Sequence, residues 1–173
     1  STAVERICSD IRSSGEKIYP VNYNSPVQTV VAGSKDAIAQ LKPIAKEQGA
    51  RVIDLAVGAA FHSPYMDGAA QNFKEYLGGI KLVEPALPVY ANYTAAPYEG
   101  ATIDTLSKQM NNPVRWCDTI KRMCADGYTD FIEAGAGKTL CGLIKKIAPE
   151  ARVYSAEAYE SLAEIAEAVR TDA

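Results

Sequence analysis

A single histidine, His62, is all the imidazole the chain has, and its four cysteines, Cys8, Cys117, Cys124 and Cys141, form no C-x-x-C pair. Zinc ribbons and fingers are built on such pairs, so no metal centre is expected. The thiols are expected to be buried and reduced, which fits a cytoplasmic protein. Basic excess is also missing: 18 Lys and Arg face 21 Asp and Glu, a formal net charge of -3. That argues against a general nucleic-acid binder. No apolar run is long enough to span a bilayer. Leu55 to Met66 is uncharged but short, and Ile18 to Ser34 carries two Pro, two Asn, a Gln and a Gly. No membrane partner is therefore expected. The N-terminus lacks the basic, apolar and cleavage regions of a signal peptide. The serine elbow G-x-S-x-G is absent, because no two glycines stand four apart. There is no internal repeat and no low-complexity tract.

What is present is an ordinary globular composition of 173 residues, 47% hydrophobic and 23% charged, long enough to bury a core without staples. Thr2-Ala3-Val4-Glu5 reads as a capping box, followed by Val4, Ile7, Cys8 and Ile11 at helical spacing and Gly15 as the stop. Ile18 to Tyr23 and Gln28 to Ala32 read as strands around an Asn24-Ser25-Pro26 turn. Ser34 caps a second helix with Ile38, Leu41, Ala45 and Gln48 on one stripe, and Pro43 is expected to kink or shorten it. Arg51 to Val57 alternates as a strand. This α-β-β-α-β order begins one strand late for a ferredoxin-like unit, so a preceding segment is expected before Ser1.

Farther on, Ser63 and Pro64 form an N-cap and first turn for a helix carrying Met66, Ala69, Ala70, Phe73 and Leu77. A strand is expected over Leu87 to Tyr93 and a short helix near Ile103 to Met110. Asn112-Pro113 starts another helix, with Trp116, Ile120 and Met123 inward. Thr129 to Glu133 and Arg152 to Ser155 read as strands. Between them lies a helix with Leu140, Leu143, Ile144 and Ile147. The last helix carries Leu162, Ile165, Ala166 and Val169 inward. This alternation predicts a parallel α/β sheet.

Four constellations hold candidate chemistry. His62 lies between an expected strand and a capped helix, where catalytic groups of α/β proteins collect, and an imidazole is able to act as a general base. A structural or surface histidine is the competing reading. Ser63 beside it is better explained as a helix cap than as a nucleophile. Asn22-Tyr23-Asn24-Ser25-Pro26 places two amides at a strand end, able to donate to a carbonyl or thioester, although an Asx turn needs only Asn24. Gln109-Met110 precedes Asn112-Pro113-Val114-Arg115-Trp116, and nothing local singles out Gln109. Glu133 to Thr139 looks like the tail of a phosphate-binding loop, but Ile132 stands where that pattern needs glycine. A tight strand-to-helix turn explains Gly135 and Gly137 equally well.

Taken together, these segments resemble the malonyl-CoA:acyl carrier protein transacylase family and the acyltransferase domains of polyketide and fatty-acid synthases. The resemblance lies in Asn22 to Pro26, in Ala60-Phe61-His62-Ser63-Pro64-Tyr65-Met66, in Gln109-Met110 with Asn112 to Trp116, and in Phe131 to Gly135 with Gly137-Lys138. It implies an α/β fold: an incomplete ferredoxin-like subdomain over 1–58, then the C-terminal part of an α/β-hydrolase-like core over 59–173. It implies malonyl transfer from coenzyme A to the phosphopantetheine thiol of acyl carrier protein in fatty-acid biosynthesis, through a malonyl-serine. Coenzyme A is then substrate rather than cofactor. In that scheme His62 is general base and acid, and the Gln109 main-chain carbonyl orients it. Asn22 and Asn24 line a cleft wall, and Phe61 resembles the malonyl-selecting form of its motif. The family's nucleophilic serine, carboxylate-gripping arginine and oxyanion-hole donors have no counterpart among these residues, so an N-terminal half is an implied partner and the chain alone is expected to be inactive. Ala136 stands where the family usually has Pro. Two other readings compete: a non-catalytic module binding coenzyme A or a carrier protein, and a nucleotide-binding α/β domain using Gly135 to Thr139.

Overall fold

The computed structural model describes residues 2–100, 102–157 and 159–171; the side chains of 159, 160, 168, 169 and 171 lie outside the description, and with them the inward Val169, as does Ser1. It is a mixed α/β structure, as the sequence predicts, and divides into two units, Ser1–Trp116 and Cys117–Ala173.

The first unit opens with helix α1 (Thr2–Ser13), which buries Ile7, Cys8 and Ile11, the predicted i, i+4 stripe. Gly15 stops it at φ +96°, a conformation open to glycine. Strands β1 (Ile18–Ser25) and β2 (Gln28–Gly33) pair antiparallel, and Ser25 opposite Gln28 makes Pro26 and Val27 the turn. The strand thus runs two residues beyond its expected end. Gly33 pairs with Ile18, and a Cβ on it would meet the Lys17 carbonyl oxygen at 2.6 Å. Ser34 Oγ accepts from Ala37 N at 3.0 Å and donates to Glu16 at 2.6 Å, capping helix α2 (Lys35–Glu47). Pro43 sits inside α2, which nevertheless runs on to Glu47. The lost backbone bond is tolerated because Ala37, Leu41 and Ala45 anchor the helix in a core with Ile7, Cys8, Ile11 and Ile18. Ala37, not the exposed Gln48, completes that stripe.

Arg51 to Val57 does not form a strand. Its alternation is real, but Ile53, Leu55 and Val57 are 63, 58 and 59% exposed, and no ladder holds the segment among the described residues. A strand pattern without a hydrogen-bonding neighbour remains irregular chain. A 3₁₀ turn (Pro64–Met66) leads into helix α3 (Asp67–Gly78), where Ala70 and Leu77 are buried. The expected Leu87 to Tyr93 strand shrinks to β3 (Tyr90–Ala91), paired with β4 (Ala96–Pro97) in a small hairpin. Helix α4 (Thr102–Lys108) follows.

Helix α5 (Trp116–Ala125) starts four residues later than Asn112-Pro113 suggests. The reason is a competing set of bonds. Val114 N donates to Val21 O and Val114 O accepts from Tyr23 N, both at 2.8 Å, and Arg115 N donates to Asn92 O at 3.0 Å. Backbone committed to β1 in this way is extended, not helical. The inner face of α5 is Cys117 and Ile120, with Thr119 beside them, while Trp116 and Met123 are half-buried.

The second unit carries β5 (Asp130–Ala134), helix α6 (Thr139–Ile147), β6 (Arg152–Ala156) and helix α7 (Tyr159–Thr171). β5 and β6 are parallel, in register from Asp130 opposite Arg152 to Ala134 opposite Ala156, as the strand–helix alternation predicts. Asp130 and Arg152 close that ladder with a two-pronged ion pair at 2.6 and 2.7 Å. Cys141, Leu143 and Ile144 form the buried side of α6, and Ile165 that of α7.

Candidate active site

Three of the four sequence constellations meet in the first unit, and the stretch 109–115 is what joins them. It leaves the C-terminus of α4, where the last carbonyls of a helix have no partner within it. The next two carbonyls, just past the helix, are taken by one residue. His62 N donates to Met110 O at 3.0 Å, and His62 Nδ1 lies 2.7 Å from Gln109 O. Backbone and ring of His62 therefore grip consecutive carbonyls. Past them, Val114 bridges to Asn22 in β1. The aromatic ring of Tyr65, three residues after His62, packs edge-on against Tyr19 of β1, with centroids 6.3 Å apart.

His62 adopts φ +59°, in the left-handed region. Side chains other than glycine hold such a conformation at a cost of about 1–3 kcal/mol, and only where surrounding contacts over-determine it. Here the two bonds to Gln109 and Met110 supply those contacts.

The chemistry of the 2.7 Å contact fixes the imidazole. A carbonyl oxygen only accepts, so Nδ1 must carry the proton and donate. In the neutral ring Nε2 then holds the lone pair, and no residue described takes it up. Such an arrangement can accept a proton at Nε2 while the carbonyl holds tautomer and orientation, the part a carboxylate plays in Ser-His-Asp triads.

The neighbours separate into structural and open groups. Ser63 is buried, donates from Oγ to Ala60 O at 2.6 Å and accepts from Tyr65 N at 3.3 Å, so it is a cap, as its sequence context predicts. Phe61 is half exposed beside the imidazole residue. Asn22 and Asn24 are half-buried on β1, and among the described residues their side-chain amides hydrogen-bond neither His62 nor Gln109. None of the four thiols is activated. Burial pushes Cys8 up to about 11, against the smaller opposing charge of Arg12, and raises Cys117, Cys124 and Cys141 above their ordinary value.

The fourth constellation belongs to the second unit. Gly135 and Gly137, at φ +139° and +89°, turn the chain from β5 into α6. The Glu133 carboxylate accepts from Leu140 N at 3.1 Å and Cys141 N at 2.8 Å. These N–H groups are the ones a nucleotide phosphate would need, and the protein's own anion occupies them.

Two residues near His62 carry no signal in the sequence. Asn92 N donates to Gln109 Oε1 at 3.0 Å, and Gln109 Nε2 donates to the Tyr98 hydroxyl at 2.5 Å. Neither Asn92 nor Tyr98 sits in a motif, and an acceptor on the main chain leaves no trace in residue type.

Known proteins match this architecture closely. Residues 2–162 match the acyl transferase domain family. The malonyl CoA-acyl carrier protein transacylase of Bacillus subtilis is 36% identical over 148 residues, 84% of this chain and 47% of that protein. An acyl-carrier-protein S-malonyltransferase from Burkholderia pseudomallei superposes with a TM-score of 0.91 at 34% identity, over 96% of this chain and 55% of that one. A malonyl-transacylase solved in complex with a type II polyketide acyl-carrier protein gives a TM-score of 0.88 at 32% identity, over 95% and 54% of the two chains. The chain thus spans about half the length of the relatives it matches. Its α/β fold is that of these transacylases over the matched part, and the chain belongs to the acyl transferase domain family.

Proposed function

We propose that this chain supplies the general base of a malonyl-CoA:acyl carrier protein transacylase. One observation carries the reading: Nδ1 of His62 is held at 2.7 Å by the Gln109 carbonyl, which leaves Nε2 to handle a proton. The family membership and the names of its relatives support it.

The reaction runs in two balanced halves. A serine hydroxyl outside these 173 residues attacks the malonyl thioester carbonyl, and His62 Nε2 takes its proton. The tetrahedral intermediate collapses, the C–S bond breaks, and the imidazolium returns the proton to the departing coenzyme A thiolate. The malonyl-serine ester is then attacked by the phosphopantetheine thiol of the carrier protein, whose proton passes through His62 to the serine oxygen. Coenzyme A enters as a thioester substrate, and no cofactor is required. In this reading residues 1–58 form most of the small ferredoxin-like subdomain, and 59–173 the C-terminal part of the large one. Asn22 and Asn24 line the cleft between subdomains, and Phe61 beside the imidazole selects the small malonyl unit. The partners are malonyl-CoA, acyl carrier protein and the N-terminal half of the enzyme. The pathway is cytoplasmic fatty-acid synthesis. Among the described residues no helix is long and apolar enough to cross a membrane.

The test is malonyl transfer from malonyl-CoA to a holo-carrier protein. The full-length enzyme transfers, and His62→Ala slows it severely. The 173-residue chain mixed with malonyl-CoA gains no malonyl mass. A full-length protein that binds the carrier protein but transfers nothing returns the reading to a binding module. Near-normal transfer by His62→Ala removes the histidine from the chemistry.

A further inference from the structure

We propose that the side chain of Gln109, clamped between the Asn92 N–H and the Tyr98 hydroxyl, is a positioning group that aims its own main-chain carbonyl at His62. The inference rests on His62 being the base.

The clamp uses both ends of the amide. Oε1 accepts from Asn92 N at 3.0 Å, and Nε2 donates to Tyr98 at 2.5 Å. Both partners belong to the small β3–β4 hairpin. Asn92 follows β3 directly and Tyr98 follows β4 directly. The hairpin is itself closed by Tyr98 N donating to Val89 O at 2.9 Å and Ala95 N to Ala91 O at 2.9 Å. It reaches the same stretch a second time, where Asn92 O accepts from Arg115 N at 3.0 Å. The segment 109–115 is thus pinned at its first residue by an amide side chain and at its last by a backbone bond.

Geometry explains why the first pin matters. Gln109 and Met110 stand just beyond the last turn of α4, where helical bonds no longer fix the carbonyl directions. Gln109 N still bonds back to Thr105 O at 3.2 Å, which holds one side of the residue only. The clamped side chain holds the other, and the carbonyl between them points at Nδ1. An asymmetric clamp of one donor and one acceptor also dictates which way the amide faces. Burial raises the Tyr98 phenol above its ordinary value, against a smaller opposing effect of the Gln109 amide, so the hydroxyl stays neutral through the working pH range. The two-point hold is what makes Gln109 more than a peptide unit at that place.

Three substitutions in the full-length enzyme test this, read by transfer kinetics and by the ¹⁵N signals of the His62 ring. Gln109→Leu removes both side-chain bonds but keeps the carbonyl. A carbonyl misplaced by a fraction of an ångström is expected to lower kcat by roughly 10- to 100-fold, with KM for malonyl-CoA changed less than about 2-fold. The His62 ring moves from the Nδ1–H tautomer to a mixture of tautomers. Tyr98→Phe deletes one pin and costs about 3- to 10-fold in kcat, with a smaller tautomer shift in the same direction. Gln109→Glu still accepts from Asn92 N and accepts a hydrogen bond from the Tyr98 hydroxyl, so it recovers transfer to within about 5-fold and restores the Nδ1–H signal. Tyr98→Phe decides the matter where Gln109→Leu fails to fold. An unchanged tautomer in folded Gln109→Leu or Tyr98→Phe protein overturns the proposal, whatever happens to the rate. A shifted tautomer with undiminished transfer upholds the positioning and overturns the role of His62 as base.

Discussion

The His62 site and the entrance to α6 solve the same problem from opposite sides. At His62 a main-chain oxygen, Gln109 O, holds a side chain at 2.7 Å. At α6 a side chain, Glu133, holds the main chain through Leu140 N and Cys141 N at 3.1 and 2.8 Å. Both places satisfy groups that a helix end leaves over, the carbonyls after α4 and the N–H groups of α6. They differ in what a mutation can reach. A side-chain anion is deleted by one substitution, whereas a peptide carbonyl survives every substitution at its own position. The contrast separates a site whose working groups are written in residue types from one whose orienting group is not.

The largest expected effect breaks the first side of the contrast. His62→Ala removes the side chain whose Nδ1 the Gln109 carbonyl holds, and on the proposed function transfer by the full-length enzyme falls by roughly 10³-fold, within the range for loss of a general base. Circular dichroism and melting temperature stay near those of the parent, because the residue is half-buried and its loss opens no core cavity. A collapse of the fold instead would make His62 a structural residue.

A smaller loss, in stability, is expected where backbone meets backbone. Gly33 brings β2 within 2.6 Å of the Lys17 oxygen, counting from the Cβ that glycine lacks. Gly33→Ala forces the hairpin apart and lowers unfolding free energy by about 1–3 kcal/mol in urea titration. Unchanged stability would mean that the hairpin shifts without cost.

Next comes the second side of the contrast. Glu133→Gln weakens the anionic cap on α6, and Glu133→Ala removes it, so the melting temperature falls in the order parent, Gln, Ala. Glu133 is exposed to screening, and the drop is expected to be smaller than for Gly33→Ala. Equal melting temperatures for all three would show that water satisfies the two N–H groups as well as the carboxylate does.

The smallest effect is a pH dependence. The Cys141 N–H, and less so that of Leu140, holds Glu133 below the ordinary carboxylate range, and Arg152 does the same for Asp130. A folded-state value below the unfolded one means stability that is present above the unfolded value and lost as pH falls through the folded value. Thermal melts therefore decline in the acid range below the ordinary carboxylate value. Glu133→Gln shows a shallower decline than the parent, and an identical slope would remove Glu133 from the linkage.

The legibility of the molecule follows the same division. α1, β1, β2 and α2 are readable because their signals are local: a stripe at Ile7, Cys8 and Ile11, a cap at Ser34, a stop at Gly15. Arg51 to Val57 misled because alternation is necessary for a strand but does not supply the neighbour that pairs with it. Asn112-Pro113 misled because Val114 and Arg115 spend their backbone bonds on Val21, Tyr23 and Asn92, residues far away in sequence. In the site, His62 is legible as a lone imidazole just before a capped helix, although the strand expected ahead of it does not form. Gln109 drew notice only through a resemblance, since the group that matters is one every residue owns. Asn92 and Tyr98 were invisible for the same reason: their value lies in where a hairpin carries them.

The grip of His62 on two consecutive carbonyls has a further consequence. Since residue identity at 109 and 110 cannot abolish an oxygen, the vulnerable quantity there is register. Adding one residue between Lys108 and Gln109 would present the wrong pair of oxygens to the imidazole while leaving the Gln109 to Trp116 motif readable. Chain length between the two anchors is thus under tighter constraint than composition, and the segment behaves as a ruler.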